Sequence, residues 1–505
     1  MITNIQKQDF DLFMEGKIAP SLSGQYFDCV NPSNGEVFAR LADADAVDVE
    51  IAVNAARLAF DHGRWPQMAT VERGKFLLRI AGLIRENAKE LADLECRSTG
   101  KTIKHATFID VPACADTFEH FGNFATPFNN ETMEIPSPHL PAGQAGLCLI
   151  SREPVGVVAA IIPWNYPLIM AAWKIAVALL AGNTVVLKPS PTACAAVMAL
   201  AKIIAQVGLP KGVLNIISSS RAQAGRDLVS HPQVDMISFT GSTETGKEVM
   251  AQAAKSIKKL TLELGGKSPN IVFADCNMEA AVGGALASIF MNQGQMCTAG
   301  SRLLVEDKIY KTFVEQLVKR AQTLNIGPAD SFETEFGPLV NTAHRDAVLR
   351  LIEQGKKEGA KLACGGKIPA HTNPKGAYIE PTILINVRNH MTIAQEEIFG
   401  PVLCVMPFTS VDEAVHLANE TKYGLAAMVW TQDLVKANGV AKRLRCGTVW
   451  INTYGAFDNA VPFGGYKQSG FGRELGQEGL HEYTQIKTVT TDQTPGGKPL
   501  VTSWF

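Results

Sequence analysis

From residue 154 onward, short apolar segments of the chain alternate with longer segments of helical periodicity. The segments VGVVAAIIPW, TVVLKPS, GVLNIIS and VDMISFTGS are typical of strands that are buried on both faces of a sheet. Between them, LIMAAWKIAVALLAG, TACAAVMALAKIIAQVG and AQAGRDLVSH predict helices. This alternation predicts an α/β fold with a parallel, doubly wound sheet, in which ligands bind beyond the carboxyl ends of the strands.

A second series of the same kind begins near residue 266, so we expect a second α/β domain there. Residues 41–125 have helical periodicity throughout, whereas 131–151 is interrupted by Pro and Gly and has β character at its edges. The tail TQIKTVTTDQ alternates as a strand does and could pair with 131–151. A chain of 505 residues is long enough for two or three cores.

Composition excludes several classes of protein. The chain carries 47 Lys and Arg against 49 Asp and Glu, a net charge of −2, which argues against a general surface for nucleic acid or anionic membrane. The start has no signal-peptide pattern, and the most apolar long segment contains Lys174 and is short for a bilayer span. Ten scattered cysteines without a CxxC pair predict no disulfide scaffold and no metal site, and favour a cytoplasmic location.

The segment SFTGSTETGKEV follows a predicted strand and opens a helix. Gly241 and Gly246 enclose a GxxxxG spacing, but the dinucleotide fingerprint is missing, and Glu248 after Lys247 breaks the P-loop pattern. The amides at such a helix start can bind a phosphate, or the segment can be a strand–helix turn closed by its own Ser and Thr caps.

Four other residues have a chemical and a structural interpretation. Cys297, among small residues, is either a nucleophile that needs an activating environment or a packed thiol. Glu263, inside an apolar strand, is either a base with a raised pKa or a solvated strand end. Asn165 is either a hydrogen-bond donor to an oxyanion or a turn residue beside Pro. Lys188 either contacts a ribose or phosphate or is an ordinary surface lysine. Because these motifs lie at strand ends of two adjacent domains, a cleft between the domains would bring them together.

Over about residues 20–495 the chain resembles the aldehyde dehydrogenase superfamily. The segments that carry the resemblance are PWNYPL, LKPS, FTGSTETG, LELGGKSPNIVF, GQMCTAGSR, EEIFGPV and PFGGYKQSGFGRELG, in this order. The most specific are LELGGKSP and GQMCTAGSR, in which Cys297 lies 34 positions after Glu263.

The resemblance implies a fold of two doubly wound Rossmann-type domains with a small β oligomerisation hairpin. It divides the chain into a dinucleotide-binding domain (1–130 and 155–265), a catalytic domain (266–475) and oligomerisation segments (131–154 and 484–505). It also implies a homodimer or homotetramer that oxidises a small-molecule aldehyde with NAD or NADP.

The resemblance also implies a mechanism. Cys297 attacks the aldehyde to form a thiohemiacetal, whose oxyanion is held by the Asn165 side chain and the Cys297 amide. Hydride transfer to the nicotinamide leaves a thioester. Glu263 activates the water that hydrolyses it, and Glu474 assists the proton path.

For the cofactor, the resemblance assigns Glu397 and Phe399 to the nicotinamide ribose, Lys188 to the adenosine ribose, and Gly241 and Ser242 to the pyrophosphate. The remaining predicted cofactor contacts are Ile162, Pro163, Trp164, Arg221, Gly246 and Leu264.

Two departures from the family pattern concern the choice of cofactor. Pro191 stands where members that prefer NAD commonly have a Glu, and Arg221 stands where glycines are usual. The absence of a carboxylate at Pro191, together with the nearby guanidinium of Arg221, favours binding of a 2′-phosphate. We therefore expect NADP to be used well. Alternatively, Arg221 points into solvent and NAD is still used.

Tyr166, Trp173 and Phe463 match positions that line the family's aldehyde tunnel. Aromatic walls suit apolar, aromatic or trimethylammonium aldehydes, although betaine- and amino-aldehyde members often have Trp in place of Phe463. Asp458 could attract a cation, and the segment NTYGAFDNAVPF holds no Arg to bind a carboxylate.

Two other functions are open to a chain of this kind. A CoA-acylating semialdehyde dehydrogenase usually lacks the general base, whereas Glu263 is present here. A catalytically silent structural relative would be expected to lose Cys297, Glu263 or Asn165, and all three remain.

Overall fold

A computed structural model describes residues 8–124, 130–135 and 146–492; the parts of the sequence-based division that fall on 1–7, 125–129, 136–145 and 493–505 lie outside the described residues. In chain order the strands are β1 (Gln8–Phe10), β2 (Leu12–Met14), β3 (Lys17–Ala19), β4 (Tyr26–Asn31), β5 (Glu36–Ala42), β6 (Glu131–Ile135), β7 (Gly146–Pro154), β8 (Val157–Ile162), β9 (Thr184–Pro189), β10 (Leu214–Ile216), β11 (Met236–Thr240), β12 (Lys259–Glu263), β13 (Pro269–Val272), β14 (Arg302–Glu306), β15 (Lys361–Cys364), β16 (Thr382–Ile385), β17 (Val402–Phe408), β18 (Ala426–Trp430), β19 (Thr448–Ile451), β20 (Gly470–Phe471) and β21 (Thr484–Asp492).

The α-helices are α1 (Ala46–Asp61), α2 (Thr70–Glu86), α3 (Ala88–Thr99), α4 (Ile103–His105), α5 (Val111–Gly122), α6 (Pro167–Leu180), α7 (Ala195–Ala205), α8 (Ala222–Ser230), α9 (Thr243–Ala253), α10 (Met278–Phe290), α11 (Asp307–Gln322), α12 (Thr342–Lys357), α13 (Thr392–Gln395), α14 (Val411–Asn419), α15 (Leu434–Arg443) and α16 (Gly476–Glu482). A π-helical turn, Ala106–Asp110, joins α4 to α5.

The first large sheet has the order β20-β12-β11-β8-β9-β10-β2-β3. Its central strands β12, β11, β8, β9 and β10 are parallel, whereas β2 and β20 pair antiparallel to their neighbours. Every residue of β9 is buried, which is the consequence of helices packing on both faces. The predicted parallel, doubly wound sheet is therefore confirmed.

The direction of strand addition reverses between β8 and β11. From β8 the chain adds β9 and β10 on one side, and it adds β11 and β12 on the other. A crevice opens where the strand order of such a sheet reverses, because the connections leave in opposite directions. The loops that follow β8, β9 and β11 carry the residues that sequence analysis predicted for a dinucleotide.

The second large sheet has the order β15-β16-β17-β14-β13-β18-β19, with only β15 antiparallel among its strands. All of its strands come from the chain after residue 266. The segment LGGKS links β12 to β13 and so connects the two large sheets.

A three-stranded antiparallel sheet of order β21-β7-β6 joins distant parts of the sequence. The tail strand β21 pairs with β7 along its whole length, from Thr484 opposite Pro154 to Asp492 opposite Gly146. The pairing of the tail that the sequence left open is thus present, with β7 as its partner. The remaining small sheet, β1-β5-β4, lies near the start of the chain.

The helical region before residue 125 differs from its prediction in one respect. The segment from Arg73 to Gly100 has continuous periodicity, but the structure divides it into α2 and α3. The division occurs at Asn87, whose side-chain Nδ2 donates to the Leu83 carbonyl at 2.8 Å and so ends α2. Asn competes for backbone hydrogen bonds in this way, and periodicity alone does not show it.

Among the described residues, no helix combines the length and the apolar character that crossing a bilayer requires.

Replacing Gly470 is expected to detach β20 from β12. Gly470 has φ +109°, and a Cβ there would overlap the Leu262 carbonyl oxygen. Gly470→Ala should therefore lower the free energy of unfolding by about 2 kcal/mol or more, measured by denaturant unfolding. The matched control is Gly439→Ala on the exposed side of α15, where a Cβ has no neighbour within 4 Å. It should stabilise the protein by roughly 0.5–1 kcal/mol, and equal effects of the two changes would contradict the role given to Gly470.

Candidate active site

A cavity of about 700 Å³ brings together residues from both large sheets. Of the residues predicted from the sequence, it is lined by Tyr166, Trp173, Glu263, Leu264, Cys297, Phe463 and Glu474. Asp458 also lines it, at its exposed end. The cavity thus brings Cys297, Glu263 and the aromatic positions together, whereas Asn165, Lys188 and Gly241 do not line it.

Several polar atoms on the wall of this cavity have no partner within the described part of the chain. They are the Tyr166 hydroxyl, Thr240 Oγ1, His120 Nε2, both carboxylate oxygens of Glu263, and Glu474 Oε2. Since buried polar groups are normally hydrogen-bonded, this concentration indicates a space that takes up water or a polar ligand.

The two glycines after β12 bring three sequence motifs into contact. The Gly266 N–H donates to Glu397 Oε1 at 3.0 Å. A Cβ on Gly265 would overlap the Glu397 carboxylate, and a Cβ on Gly266 would overlap the Cys297 carbonyl oxygen. Only residues without a side chain fit between these groups, so LELGG, GQMCTAG and EEIFGPV meet at one point.

The backbone before Cys297 is strained. Asn292, Gln293 and Gly294 have φ of +47°, +54° and +71°, three consecutive left-handed residues of which only the last is a glycine. The Asn292 side-chain Nδ2 donates to the Gln295 carbonyl at 3.2 Å and holds the turn. Strain of this kind persists only where the surroundings impose it, and it is common beside reactive groups.

Cys297 is an un-ionised thiol in this environment. Burial, together with the negative charges of Glu397 and Glu263, raises the pKa of its thiol to about 12. The activation that a nucleophilic thiolate needs is therefore not supplied by these neighbours, and a positive charge arriving at the site would provide it.

Glu263 is a buried carboxyl with a raised pKa. Burial is the main cause, and the nearby charge of Glu474 adds to it, so the pKa lies well above the usual range of a Glu. A Cβ on Gly464 would stand 2.7 Å from Glu263 Oε1, so the PFGG loop packs tightly against the carboxyl. A carboxyl in this state can accept a proton near neutral pH, as a general base must.

Glu474 belongs to a buried network that sequence analysis did not find. Lys174 Nζ lies 2.6 Å from Glu474 Oε1, and it donates to Ser238 Oγ at 2.9 Å. Ser238 in turn hydrogen-bonds the Tyr483 hydroxyl at 2.8 Å. A lysine inside the otherwise apolar helix α6 was the available signal, since a charge there requires a buried partner.

Asn165 does not line the cavity but lies beside the strained turn. Its side-chain Nδ2 donates one hydrogen bond to the Gln295 carbonyl, two residues before Cys297, at 3.0 Å. An amide carries two N–H groups, so one remains for a second acceptor.

Two of the three predicted aromatic positions, Trp173 and Phe463, belong to one cluster of rings. The Trp173 and Phe463 rings lie 5.7 Å apart, and Phe457, which was not predicted, lies 5.5 Å from Phe463 and 6.3 Å from Trp173. At its exposed end the cavity is lined by acidic and amide side chains: Asp116, Glu119, Asn123, Asp458 and Asn459. Arg85 pairs with both Asp116 and Glu119. With Asp458, the exposed end therefore holds three carboxylates and one nearby cation.

Of the predicted cofactor contacts, Leu264 lines this cavity. The others lie outside it, at the crevice of the first sheet and in the loop beside that crevice. Ile162 ends β8 and Pro163 follows it. The Trp164 ring lies 5.2 Å from that of Phe399, whose backbone is left-handed with φ +54°. His344 Nε2 donates to the Phe399 carbonyl at 2.7 Å and fixes this turn.

The loop after β11 has the short hydrogen bonds of a capped helix. Ser242 Oγ accepts from the Thr245 N–H at 3.2 Å at the start of α9, and the Gly241 N–H donates to the Glu263 carbonyl at 3.0 Å. A Cβ on Gly246 would come within 2.5 Å of Leu264, so Gly246 allows α9 to approach β12 closely. The backbone conformation that forms this turn is also one in which the amides at a helix start can bind a phosphate.

Lys188 and Arg221 have different surroundings. Lys188, at the end of β9, is buried, and its Nζ makes one long hydrogen bond, 3.5 Å, to the Pro189 carbonyl. Burial lowers the pKa of Lys188, and the charge of Asp43 opposes this. Arg221 has 47% of its side chain exposed, and its Nε lies 3.7 Å from Asp43 Oδ2. It is therefore neither fully in solvent nor tightly paired.

No group of metal-ligating side chains occurs within residues 8–124, 130–135 and 146–492.

Comparisons with known proteins agree with this arrangement. The model of the aldehyde dehydrogenase family matches residues 19–489. The betaine aldehyde dehydrogenase of Bacillus subtilis (strain 168) is 45% identical over 495 residues, 98% of this chain and 99% of that protein, and human retinaldehyde dehydrogenase 3 is 43% identical over 97% and 94%. The NAD+ complex of an aldehyde dehydrogenase from Bacillus cereus superposes with a TM-score of 0.93 at 42% identity, covering 96% of this chain and 97% of that one.

Proposed function

The chain belongs to the aldehyde dehydrogenase family, and we propose that Cys297, Glu263 and Asn165 carry its NAD(P)-dependent oxidation of an aldehyde to the carboxylic acid. The observation that carries this proposal is the junction at Gly265–Gly266. There the backbone of Cys297 and the carboxylate of Glu397 lie against the residues that directly follow Glu263.

In the first step, the Cys297 thiol loses its proton to water, its Sγ forms a bond to the aldehyde carbon, and the carbonyl oxygen takes the negative charge of a thiohemiacetal. The free amide N–H of Asn165 and the backbone N–H of Cys297 are the donors proposed to hold this oxyanion. When bound, the oxidised nicotinamide supplies a positive ring and accepts the hydride.

The acyl group then remains on Cys297 as a thioester. Glu263 removes a proton from water, whose oxygen bonds to the acyl carbon, and the C–S bond breaks to release the acid and the Cys297 thiolate, while the proton taken from water stays on Glu263. The buried Glu474–Lys174 pair is proposed to accept the proton onward, since Glu474 adjoins Glu263 electrostatically. This general base favours hydrolysis over acyl transfer to CoA.

The residues of the crevice fit a dinucleotide. Glu397 and Phe399 are proposed to hold the nicotinamide ribose, Lys188 the adenosine ribose, and Gly241 and Ser242 the pyrophosphate. Ile162, Pro163, Trp164, Gly246 and Leu264 complete the contact surface. Support comes from a buried Lys188 whose ammonium has only one long hydrogen bond, which leaves it available to ribose oxygens.

Use of NADP is proposed alongside NAD. Pro191 leaves no carboxylate at the third position after Lys188, and the terminal nitrogens of Arg221 make no hydrogen bond within the described residues. A guanidinium with a free edge suits a phosphate.

The preferred aldehyde is proposed to carry a positive charge at the end remote from the carbonyl. Tyr166, Trp173 and Phe463 supply aromatic faces, and Asp458 lies with two further carboxylates at the exposed end of the cavity. Aromatic faces and carboxylates both stabilise a cation, while the same carboxylates disfavour an anionic semialdehyde.

Assembly into a homodimer or homotetramer is proposed to use the β21-β7-β6 sheet. Met133, Ile486 and Val489 of this sheet are exposed, and such apolar side chains are usually covered by a partner. We further propose the division into a dinucleotide-binding domain (1–130 and 155–265), a catalytic domain (266–475) and oligomerisation segments (131–154 and 484–505), and a cytoplasmic location. Ten free thiols support a reducing compartment.

Glu263→Gln should separate the two halves of the reaction. Loss of the base is expected to leave a rapid burst of reduced cofactor and to slow steady turnover by about 10²–10⁴-fold. Because the pKa of Glu263 is raised, its base form is lost as pH falls, so the wild-type steady rate should rise with pH and the variant rate should not. Cys297→Ala is the control: it should show neither phase but still bind dinucleotide. An unchanged steady rate in Glu263→Gln would contradict this role.

Arg221→Ala should selectively weaken the use of NADP. The wild type is expected to use NADP at least as well as NAD, and the variant to lose roughly tenfold in kcat/KM for NADP through loss of a charge-assisted contact, with little change for NAD. Steady-state kinetics with both cofactors measures this. A strong NAD preference that Arg221→Ala leaves unaltered would overturn the proposal.

Asp458→Asn should reduce discrimination between cationic and neutral aldehydes of equal length. The wild type is expected to have the lower KM for an ω-trimethylammonium aldehyde, and the variant to raise that KM about three- to fivefold, the size of an exposed charge interaction. Asp93→Asn, the same change in charge at a site that does not line the cavity, is the control. Equal KM values for both aldehydes in the wild type would exclude a cation preference.

A further inference from the structure

Asp43 is a buried carboxylate that no sequence motif indicated. It follows β5 and is 7% exposed. Its Oδ1 accepts hydrogen bonds from Ser219 Oγ at 3.1 Å and from the Ser220 N–H at 2.8 Å, and its Oδ2 accepts from Ser220 Oγ at 2.7 Å. Through these bonds Asp43 holds the loop that leaves β10 and leads into α8.

The loop held by Asp43 places Arg221 beside Asp43 and leads into α8, whose first turns lie near Lys188. Arg221 is the residue before α8, and its Nε lies 3.7 Å from Asp43 Oδ2. A Cβ on Gly225, in the first turns of α8, would lie 3.9 Å from Lys188 Cδ. Lys188, Arg221 and Asp43 therefore face one region beyond β9 and β10, with two positive charges and one negative charge.

This region is the one that the proposed function gives to the adenosine ribose. NAD presents a neutral hydroxyl at the 2′ position, whereas NADP presents a phosphate with a charge of about −1.5 to −2. A buried carboxylate repels a phosphate far more than a hydroxyl, since little water lies between them to screen the charges. Pro191 provides no carboxylate, so Asp43 is the acidic group whose charge Lys188 experiences here.

We propose that Asp43 is a specificity-determining residue, which opposes a 2′-phosphate and so keeps NAD competitive with NADP in this chain. The proposal rests on the proposed cofactor site. It assigns opposite effects to two neighbouring residues, because Arg221 attracts the phosphate and Asp43 repels it.

The alternative is that Asp43 only orients Arg221. In that case removal of the Asp43 charge would release the guanidinium and weaken the binding of NADP. The two roles therefore predict changes of opposite sign, which one measurement separates.

The test is the dissociation constants of NAD+ and NADP+, measured by calorimetry on the full chain without aldehyde. Asp43→Asn keeps the size of the side chain and an acceptor for the Ser220 N–H. It should tighten NADP+ binding about tenfold, within the range of a single close charge interaction, and leave NAD+ binding within about twofold. The tightening should shrink as salt concentration rises. An unchanged or weakened affinity for NADP+ overturns the proposal.

Two further variants separate charge from loop structure. Ser220→Ala removes the hydroxyl that donates to Asp43 Oδ2, while Asp43 keeps its charge, so the ratio of the two dissociation constants should stay as in the wild type. Asp43→Ser is a second neutral variant, which should shift the ratio towards NADP+ as Asp43→Asn does, should the latter fold poorly. A shift in Ser220→Ala equal to that in Asp43→Asn would assign the effect to the loop and overturn the proposal.

The wild type distinguishes this inference from the function on which it rests. A wild-type chain that binds neither dinucleotide would overturn the proposed cofactor site and this inference together. A wild-type chain that binds both, with the same ratio in both neutral variants, would overturn the role of Asp43 alone.

Discussion

The close approach of three chain segments at Gly265–Gly266 is the constraint on which the site depends. The Glu397 carboxylate and the Cys297 carbonyl each occupy the space that a Cβ would need. The β20 strand lies against β12 just before this point, with Leu262 opposite Phe471 and Ser469 Oγ donating to the Gly265 carbonyl at 2.7 Å. One short glycine turn therefore positions the proposed nucleophile, the proposed base and a proposed ribose ligand together.

Burial around this turn sets the protonation states of the reacting groups. The Cys297 thiol and the Glu263 carboxyl both have raised pKa values because water is excluded and negative charges are close. Burial thus disfavours the charged form of both groups, because an ion loses its hydration inside a protein. The buried charge pair of Lys174 with Glu474 is stabilised by contact at 2.6 Å and by Ser238.

The two ends of the proposed ligand sites have opposite electrostatic character. The crevice beyond β9 and β10 has an excess of positive charge, from Lys188 and Arg221, tempered by Asp43. The exposed end of the cavity has an excess of negative charge, to which Asp458 contributes. A negatively charged dinucleotide and a positively charged aldehyde would thus be attracted to different openings of one site.

The sequence by itself determined the alternation of strands and helices, the doubly wound sheets and the motif residues, because apolar periodicity and glycine spacing are local properties of the chain. It did not reveal the break at Asn87, the buried partner of Lys174 or the carboxylate of Asp43, which depend on side-chain hydrogen bonds and on contacts across up to 300 positions. Only the tertiary structure brought Glu474 to Lys174 and Asp43 to Arg221, since the energy of a buried charge is fixed by whatever the fold places beside it.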